Sequence, residues 1–199
     1  QYFHISREAP CIAAMTLGKS LVTTEISTTG NTGSGQATIG ELVTYTLVIS
    51  VPEGTSTNVR ITDTMDSSSG LAFVDCIDIT APPSVSSSIG ALSNACAAGT
   101  SSGNPLISNT GRTAAWNLGT LVNTDTDNTL TETLRITYTA VVRDIVGNVQ
   151  GSVRTNRANG TYGNSNTLAQ VSAASLTLVE QNLSQSKANT PRTGDAGDT

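Results

Sequence analysis

The sequence predicts an all-β protein folded as an antiparallel sandwich. Three observations carry the prediction. Short β-branched and aliphatic runs recur along the 199 residues, separated by turns rich in Gly, Ser, Asn and Pro. Two of these runs alternate cleanly. Val43, Tyr45, Leu47 and Ile49 interleave with Thr44, Thr46, Val48 and Ser50, and Leu134, Ile136, Tyr138, Ala140 and Val142 share one face of a second ribbon. Helix-type runs of Ala, Leu, Glu and Lys are nearly absent.

Residues 1–16 have no clear period and read as a lead-in strand or linker. Leu17 to Ile26 is apolar and β-branched, a first strand. Residues 27–36 (STTGNTGSGQ) are a flexible, turn-rich loop. Leu42 to Val51 is a strong strand, closed by a Pro52-Glu53-Gly54 turn. Asn58 to Met65 and Leu71 to Ile79 follow. Residues 80–112 form a long Ser/Gly/Asn/Pro excursion with weak strand signals at Val85 to Ile89 and Leu106 to Ile107. A connection of that length is usually functional, stapled or an elaboration of the fold. Thr113 to Leu118 is a strand holding the only Trp, and alternation places Trp116 in the core. Residues 123–129 (NTDTDNT) are a polar turn. Leu130 to Arg143, Ser152 to Tyr162 and Thr167 to Val179 complete the set. The expected domain therefore spans residues 17–179.

Charge and composition narrow the function. Ten Lys and Arg face fifteen Asp and Glu, a net charge of -5, which opposes a nucleic-acid groove. One histidine, His4, excludes His-rich zinc or iron sites. No nucleophile–base pair, phosphate loop or metal cluster is visible, so no enzyme and no resident cofactor is expected. No run of 18 apolar residues is present to span a membrane. Gln1 opens a segment without signal-peptide character, expected to be already mature. Ser, Thr, Asn and Gly fill the polar surface where a cytosolic enzyme carries Lys and Glu, so an extracellular or cell-surface setting is expected.

Cys76 and Cys96 flank part of the excursion and are expected to form a disulfide, the alternative being two buried thiols. Cys11 is left over, to pair elsewhere or stay a free thiol. Asp125 and Asp127 are the candidate Ca²⁺ ligands, against an ordinary Asx-rich turn. Asn159 and Asn182 head N-x-S/T sequons, candidate glycosylation sites if the host modifies surface proteins. Residues 194–199 (GDAGDT) match the Gly-plus-acid pattern of 37–42 (ATIGEL), which precedes VTYTLVI. Residues 180–199 therefore read as a linker and the start of a second, similar repeat, making the domain one unit of a tandem array; the alternative is a polar disordered tail.

In order, IGELVTYTLVISVPEGTSTNVRITDTM, GLAFVDC, AAWNLGTL, LRITYTAVV and TNRANGTYGN resemble the bacterial surface repeats often called DUF11 and the related isopeptide-forming fimbrial D2-type domains. The resemblance covers roughly residues 17–179. It implies an Ig-like β-sandwich serving as a building block of surface proteins, fimbriae and adhesins, with copies of itself or neighbouring repeats as partners. The chain departs from the family at Asp63-Thr64-Met65-Asp66, where a Pro usually follows the aspartate motif. That affects the turn rather than the fold.

The resemblance also implies a chemistry. In isopeptide-forming relatives a first-strand Lys joins a late-strand Asn beside a carboxylic acid. By position these are Lys19 and Asn156, with Asp63 as the acid and Glu41 as a second candidate. Burial must hold the Lys neutral and the acid protonated. Lys19 is one of two lysines, the other being Lys187 in the tail. The alternative reading is a solvated Lys19 at a strand start and an Asn156 that caps a turn. A different alignment of the tail sets Glu25 rather than Lys19 opposite Lys187. The function expected is a structural block of an extracellular fibre or surface array, joined by stacking or by strand exchange through residues 1–16 or 180–199. Its rival is an adhesin module binding a host ligand or glycan through the 80–112 excursion.

Overall fold

The computed structural model describes residues 14–97, 103–127 and 131–180. Among the described residues the strands are β1 (Thr16–Thr24), β2 (Gln36–Ala37), β3 (Leu42–Ser50), β4 (Gly54–Met65), β5 (Leu71–Thr80), β6 (Val85–Ser87), β7 (Leu106–Ser108), β8 (Thr113–Asn123), β9 (Thr133–Val142), β10 (Val153–Arg154), β11 (Asn156–Tyr162), β12 (Asn166–Ser172) and β13 (Leu176–Leu178). One antiparallel sheet runs β1-β3-β9-β5. The facing sheet runs β12-β11-β4-β8-β6, with β7 also on β8. The result is an antiparallel β-sandwich. Among the described residues no helix is long and apolar enough to cross a membrane.

The two alternating ribbons lie side by side. Tyr45 of β3 pairs with Tyr138 of β9, and the register holds from Leu42↔Val141 to Ser50↔Thr133. Their apolar residues all point inward: Val43, Tyr45, Leu47, Ile49, Leu134, Ile136, Tyr138, Ala140 and Val142 are buried. The second sheet answers with Val59, Ile61 and Met65 from β4 and Ala114, Trp116 and Leu118 from β8. Pleating sends alternate residues to the core regardless of their chemistry. On β4 the residue between Ile61 and Met65 in that inward row is Asp63, and on β11 the inward row is Asn156, Ala158 and Gly160. Four rings lock the centre: Trp116 and Tyr138 sit 5.4 Å apart, Tyr45 and Tyr138 5.7 Å, and Phe73 and Tyr138 6.0 Å.

Several elements differ from the sequence expectation, among them the Thr167 to Val179 strand, which is β12 paired with β11 and, after a break, β13 paired with β10 and β2. The loop at 27–36 is tied down, because β2 adds to β13 as a parallel pair, and Glu41 gathers the preceding turn. The expected Ser152 to Tyr162 strand is two strands: β10 joins β13 in a small third sheet, whereas β11 joins β4. The break lies where Arg154 turns inward to bond Asn148 Oδ1 at 2.6 Å. Strand β8 runs on past Leu118 to Asn123 because Gly119, at φ 66°, absorbs a register shift opposite Val59. Residues 1–13 of the expected lead-in and 181–199 of the expected second repeat lie outside the described residues.

Two short pieces of the described excursion are used as sheet. β6 and β7 both pair with β8, and a short 3-10 helix at Leu92–Cys96 brings Cys96 to Cys76 on β5. The two are joined by a disulfide with Cα atoms 5.2 Å apart. This bond staples the excursion to the edge of the opposite sheet. Cys96→Ser is expected to cost about 3 kcal/mol, from the loop-closure entropy returned to the unfolded chain. Paired thermal melts of the wild-type and variant proteins check this.

Gly160 is required by contact. A Cβ there would lie 2.7 Å from the Arg60 carbonyl and 2.9 Å from both Ile61 Cδ1 and Leu168 Cδ1. The β4 backbone cannot retreat without opening the sheet. Gly160→Ala is therefore expected to destabilise by about 1–3 kcal/mol, the usual range for overpacking. Urea denaturation, with a lowered midpoint at unchanged slope, is the measurement.

Candidate crosslink site between the two sheets

Lys19 is the fourth residue of β1, paired with Leu47 of β3. β1 is the edge of its sheet and lies alongside β11 and β12 of the other. Its side chain therefore reaches across the sandwich. The Lys19 and Asp63 side chains are both fully shielded from solvent. Lys19 Nζ donates to Asp63 Oδ2 and to the Tyr138 hydroxyl. Tyr138 Oη donates to the same Asp63 Oδ2 at 2.8 Å and accepts from Asn156 Nδ2 at 2.8 Å. The structure thus brings together Lys19 and Tyr138 from one sheet with Asp63 and Asn156 from the other. Asn156 is wholly buried at the start of β11, opposite Met65, rather than capping an exposed turn.

Two oxygens of this cluster have no partner: Asp63 Oδ1 and Asn156 Oδ1. An unpartnered buried acceptor costs about 1–3 kcal/mol. A proton on Asp63 Oδ1 converts the first of them from acceptor to donor. The surroundings favour that proton. Burial is the largest influence on Asp63 and raises its pKa, against the opposing pull of Lys19 and the Tyr138 hydrogen bond. Burial is likewise the largest influence on Lys19 and lowers its pKa, against Asp63. Both shifts point to a neutral amine beside a neutral acid. The Tyr45 and Tyr138 rings, each with its centroid 5.1 Å from Nζ, favour the ammonium form. Burial also pushes the Tyr138 phenol well above its ordinary value, followed by the nearby Asp63 charge, so the phenol keeps its proton.

Glu41, the second candidate acid, is corrected by its position. Its Oε1 accepts from Ile26 N at 2.8 Å, and its Oε2 from Thr38 N and Asn31 Nδ2, both at 2.8 Å. These local donors hold the carboxylate in the 25–41 turn, away from the Lys19 cluster. Asp125, a calcium candidate, closes an Asx turn: its Oδ1 accepts from Thr126 N at 2.7 Å and from Asp127 N at 3.1 Å. Those bonds and Glu132 lower its pKa, the Asp127 backbone contributing most. Among the described residues no group of three or more His, Cys, Asp and Glu side chains could hold a metal ion. Asn159 is exposed on β11, and Asn182 lies outside the described residues.

Tyr138 is the member that the sequence reading left as plain core. The signal was available in principle: an inward tyrosine carries a hydroxyl that must find a buried partner.

No protein-family model matches the chain, the DUF11 type included. No curated protein matches it either. Among solved structures, the chain is similar to the pilus backbone RrgB from Streptococcus pneumoniae, at 18% identity over 76% of this chain and 32% of that one, with a TM-score of 0.44. It is similar to the major pilin SpaD from Corynebacterium diphtheriae, at 15% identity over 82% of this chain and 34% of that one, TM-score 0.44. It is also similar to BcpA, the major pilin subunit of Bacillus cereus, at 13% identity over 83% of this chain and 40% of that one, TM-score 0.42. The chain thus spans about a third to two-fifths of the length of these proteins.

Proposed function

We propose that this chain is a structural unit of an extracellular fibre or surface array, and that it welds its own two sheets together through an amide between Lys19 and Asn156. One observation carries the reading: a fully buried lysine, aspartic acid and asparagine gathered around one hydroxyl at the interface of the sheets. Burying such a set is unfavourable unless the groups do something that an apolar core cannot.

The chemistry follows from the positions. Neutral Lys19 Nζ attacks Asn156 Cγ. The Asp63 carboxylic acid donates a hydrogen bond to the Asn156 carbonyl oxygen and stabilises the charge that develops there. The Nζ–Cγ bond forms, the Cγ–Nδ2 bond breaks, one proton passes from Nζ to Nδ2, and ammonia leaves. Folding supplies the proximity, so no activating cofactor is needed. The reaction occurs once per molecule.

The mechanical consequence suits a fibre. The bond ties the first strand of one sheet to a late strand of the other, so a pull along the chain meets a covalent strut before it can peel β1 away. The Cys76–Cys96 disulfide fits an oxidising, extracellular setting. Partners in this reading are further copies of the chain or neighbouring repeats, joined by stacking or strand exchange. The adhesin alternative draws less support, because β6 and β7 are occupied in pairing with β8.

Electron microscopy of the native material tests the fibre: domains in line as a thread or array support it, and dispersed single particles overturn it. Intact mass tests the weld. The purified protein should weigh about 17 Da less than its disulfide-bonded sequence, one ammonia per chain.

A further inference from the structure

We infer that the Tyr138 hydroxyl is the proton relay of this crosslinking reaction, carrying the proton from the attacking nitrogen to the leaving one. The inference rests on the Lys19–Asn156 reading above and adds a residue to it. Tyr138 Oη touches both reacting nitrogens: Lys19 Nζ donates to it, and Asn156 Nδ2 donates to it at 2.8 Å. Its own proton points at Asp63 Oδ2, 2.8 Å away. Nucleophile, leaving group and acid are thus joined through one oxygen. Asp63 Oδ2 bonds Lys19 and Tyr138, and Asn156 Nδ2 reaches both of them through the hydroxyl.

The protons balance along this route. As Nζ bonds to Asn156 Cγ it gives up one proton to Tyr138 Oη. In the same step the hydroxyl passes one proton to Nδ2. Nδ2 departs as ammonia. Tyr138 and Asp63 end as they began, and the new amide keeps one hydrogen on Nζ. The phenol is placed for this work and little else can move it. Its ring is stacked against Tyr45 and Phe73 and tilted against Trp116, and its strand is paired on both sides, with β3 and β5.

The test follows the ammonia loss by intact mass as unfolded, uncrosslinked full-length chain from inclusion bodies is refolded under disulfide-forming conditions. Wild type should crosslink to completion. Tyr138→Phe keeps the ring packing and should crosslink about 10²–10⁴-fold more slowly, the span of a lost general acid–base group. Trp116 fluorescence and closure of the Cys76–Cys96 bond show that the variant has folded. A folded Tyr138→Phe protein that crosslinks at the wild-type rate overturns the relay while leaving the Lys19–Asn156 bond intact. A wild type with no mass loss overturns the crosslink reading itself, and the relay with it. A second readout needs no variant. The wild-type rate in mixtures of H2O and D2O should fall along a curve, because two protons move together. A straight line, with one proton in flight, overturns the relay.

Discussion

Asp63→Ala is expected to leave Lys19 and Asn156 unjoined and to lower the melting midpoint by about 15–30 °C. Two losses add. Without the acid the amide does not form, and a covalent loop of more than ~100 residues reopens, worth about 4–5 kcal/mol of closure entropy. The unreacted lysine then sits in a shielded site without its acid partner, at a cost of about 3–5 kcal/mol. A domain of this size shifts by about 2–4 °C per kcal/mol. Thermal melting monitored at Trp116, with intact mass on the same sample, reads both effects. A variant that melts within about 5 °C of wild type would show that Asp63 is neither the acid nor the partner of Lys19.

The second large effect appears when the bond is removed first. In an Asn156→Ala background, Lys19→Met and Asp63→Leu are each expected to cost about 3 kcal/mol or more, whereas the double replacement should be neutral or up to about 4 kcal/mol stabilising. A buried pair is unfavourable to break and rarely better than apolar packing. Their pH profiles should slope in opposite directions. In Asp63→Leu only Lys19 titrates at the site. Its folded pKa lies below the unfolded one because of burial, so the unfolded chain binds the extra proton and stability rises with pH up to about 10. In Lys19→Met only Asp63 remains. Its folded pKa lies above the unfolded one, again through burial. Its contribution is complete below about pH 4 and is lost as pH climbs through the folded value. With both present, the folded and unfolded pair each hold one proton between about pH 4 and 10, so the site adds no slope there. Urea denaturation across pH measures all three.

The parts legible in the sequence are those where one residue pattern had one structural solution. Strands β3 and β9 follow from strict alternation, and their inward residues are the buried ones. Lys19, Asp63 and Asn156 carry no such signature. Alternation with Val59, Ile61 and Met65 sets Asp63 on the inward face, but only the family pattern says what chemistry it shares with Lys19 and Asn156. The choice between Asp63 and Glu41 turned on side-chain partners. Glu41 has backbone and amide donors within its own turn, and Asp63 has only the lysine and the phenol. Tyr138 was hidden for the opposite reason: as one aromatic among the inward residues of β9 it looked complete as core. The split after Arg154 depends on pairing with segments 22 to 91 residues away, and the parallel β2–β13 pair joins segments 141 residues apart, which local periodicity does not encode.

The most direct measurement of the central claim is a tryptic digest of the reduced and alkylated protein, read by tandem mass spectrometry. Arg154 and Arg157 bracket Asn156, so trypsin releases the tripeptide Thr155-Asn156-Arg157. Lys19 lies between the cleavage sites at Arg7 and Arg60. The account predicts one branched product: residues 8–60, uncut after Lys19, carrying the tripeptide on Nζ and lighter by one ammonia. Free Thr155-Asn156-Arg157 with its amide intact, together with ordinary cleavage after Lys19, would contradict it.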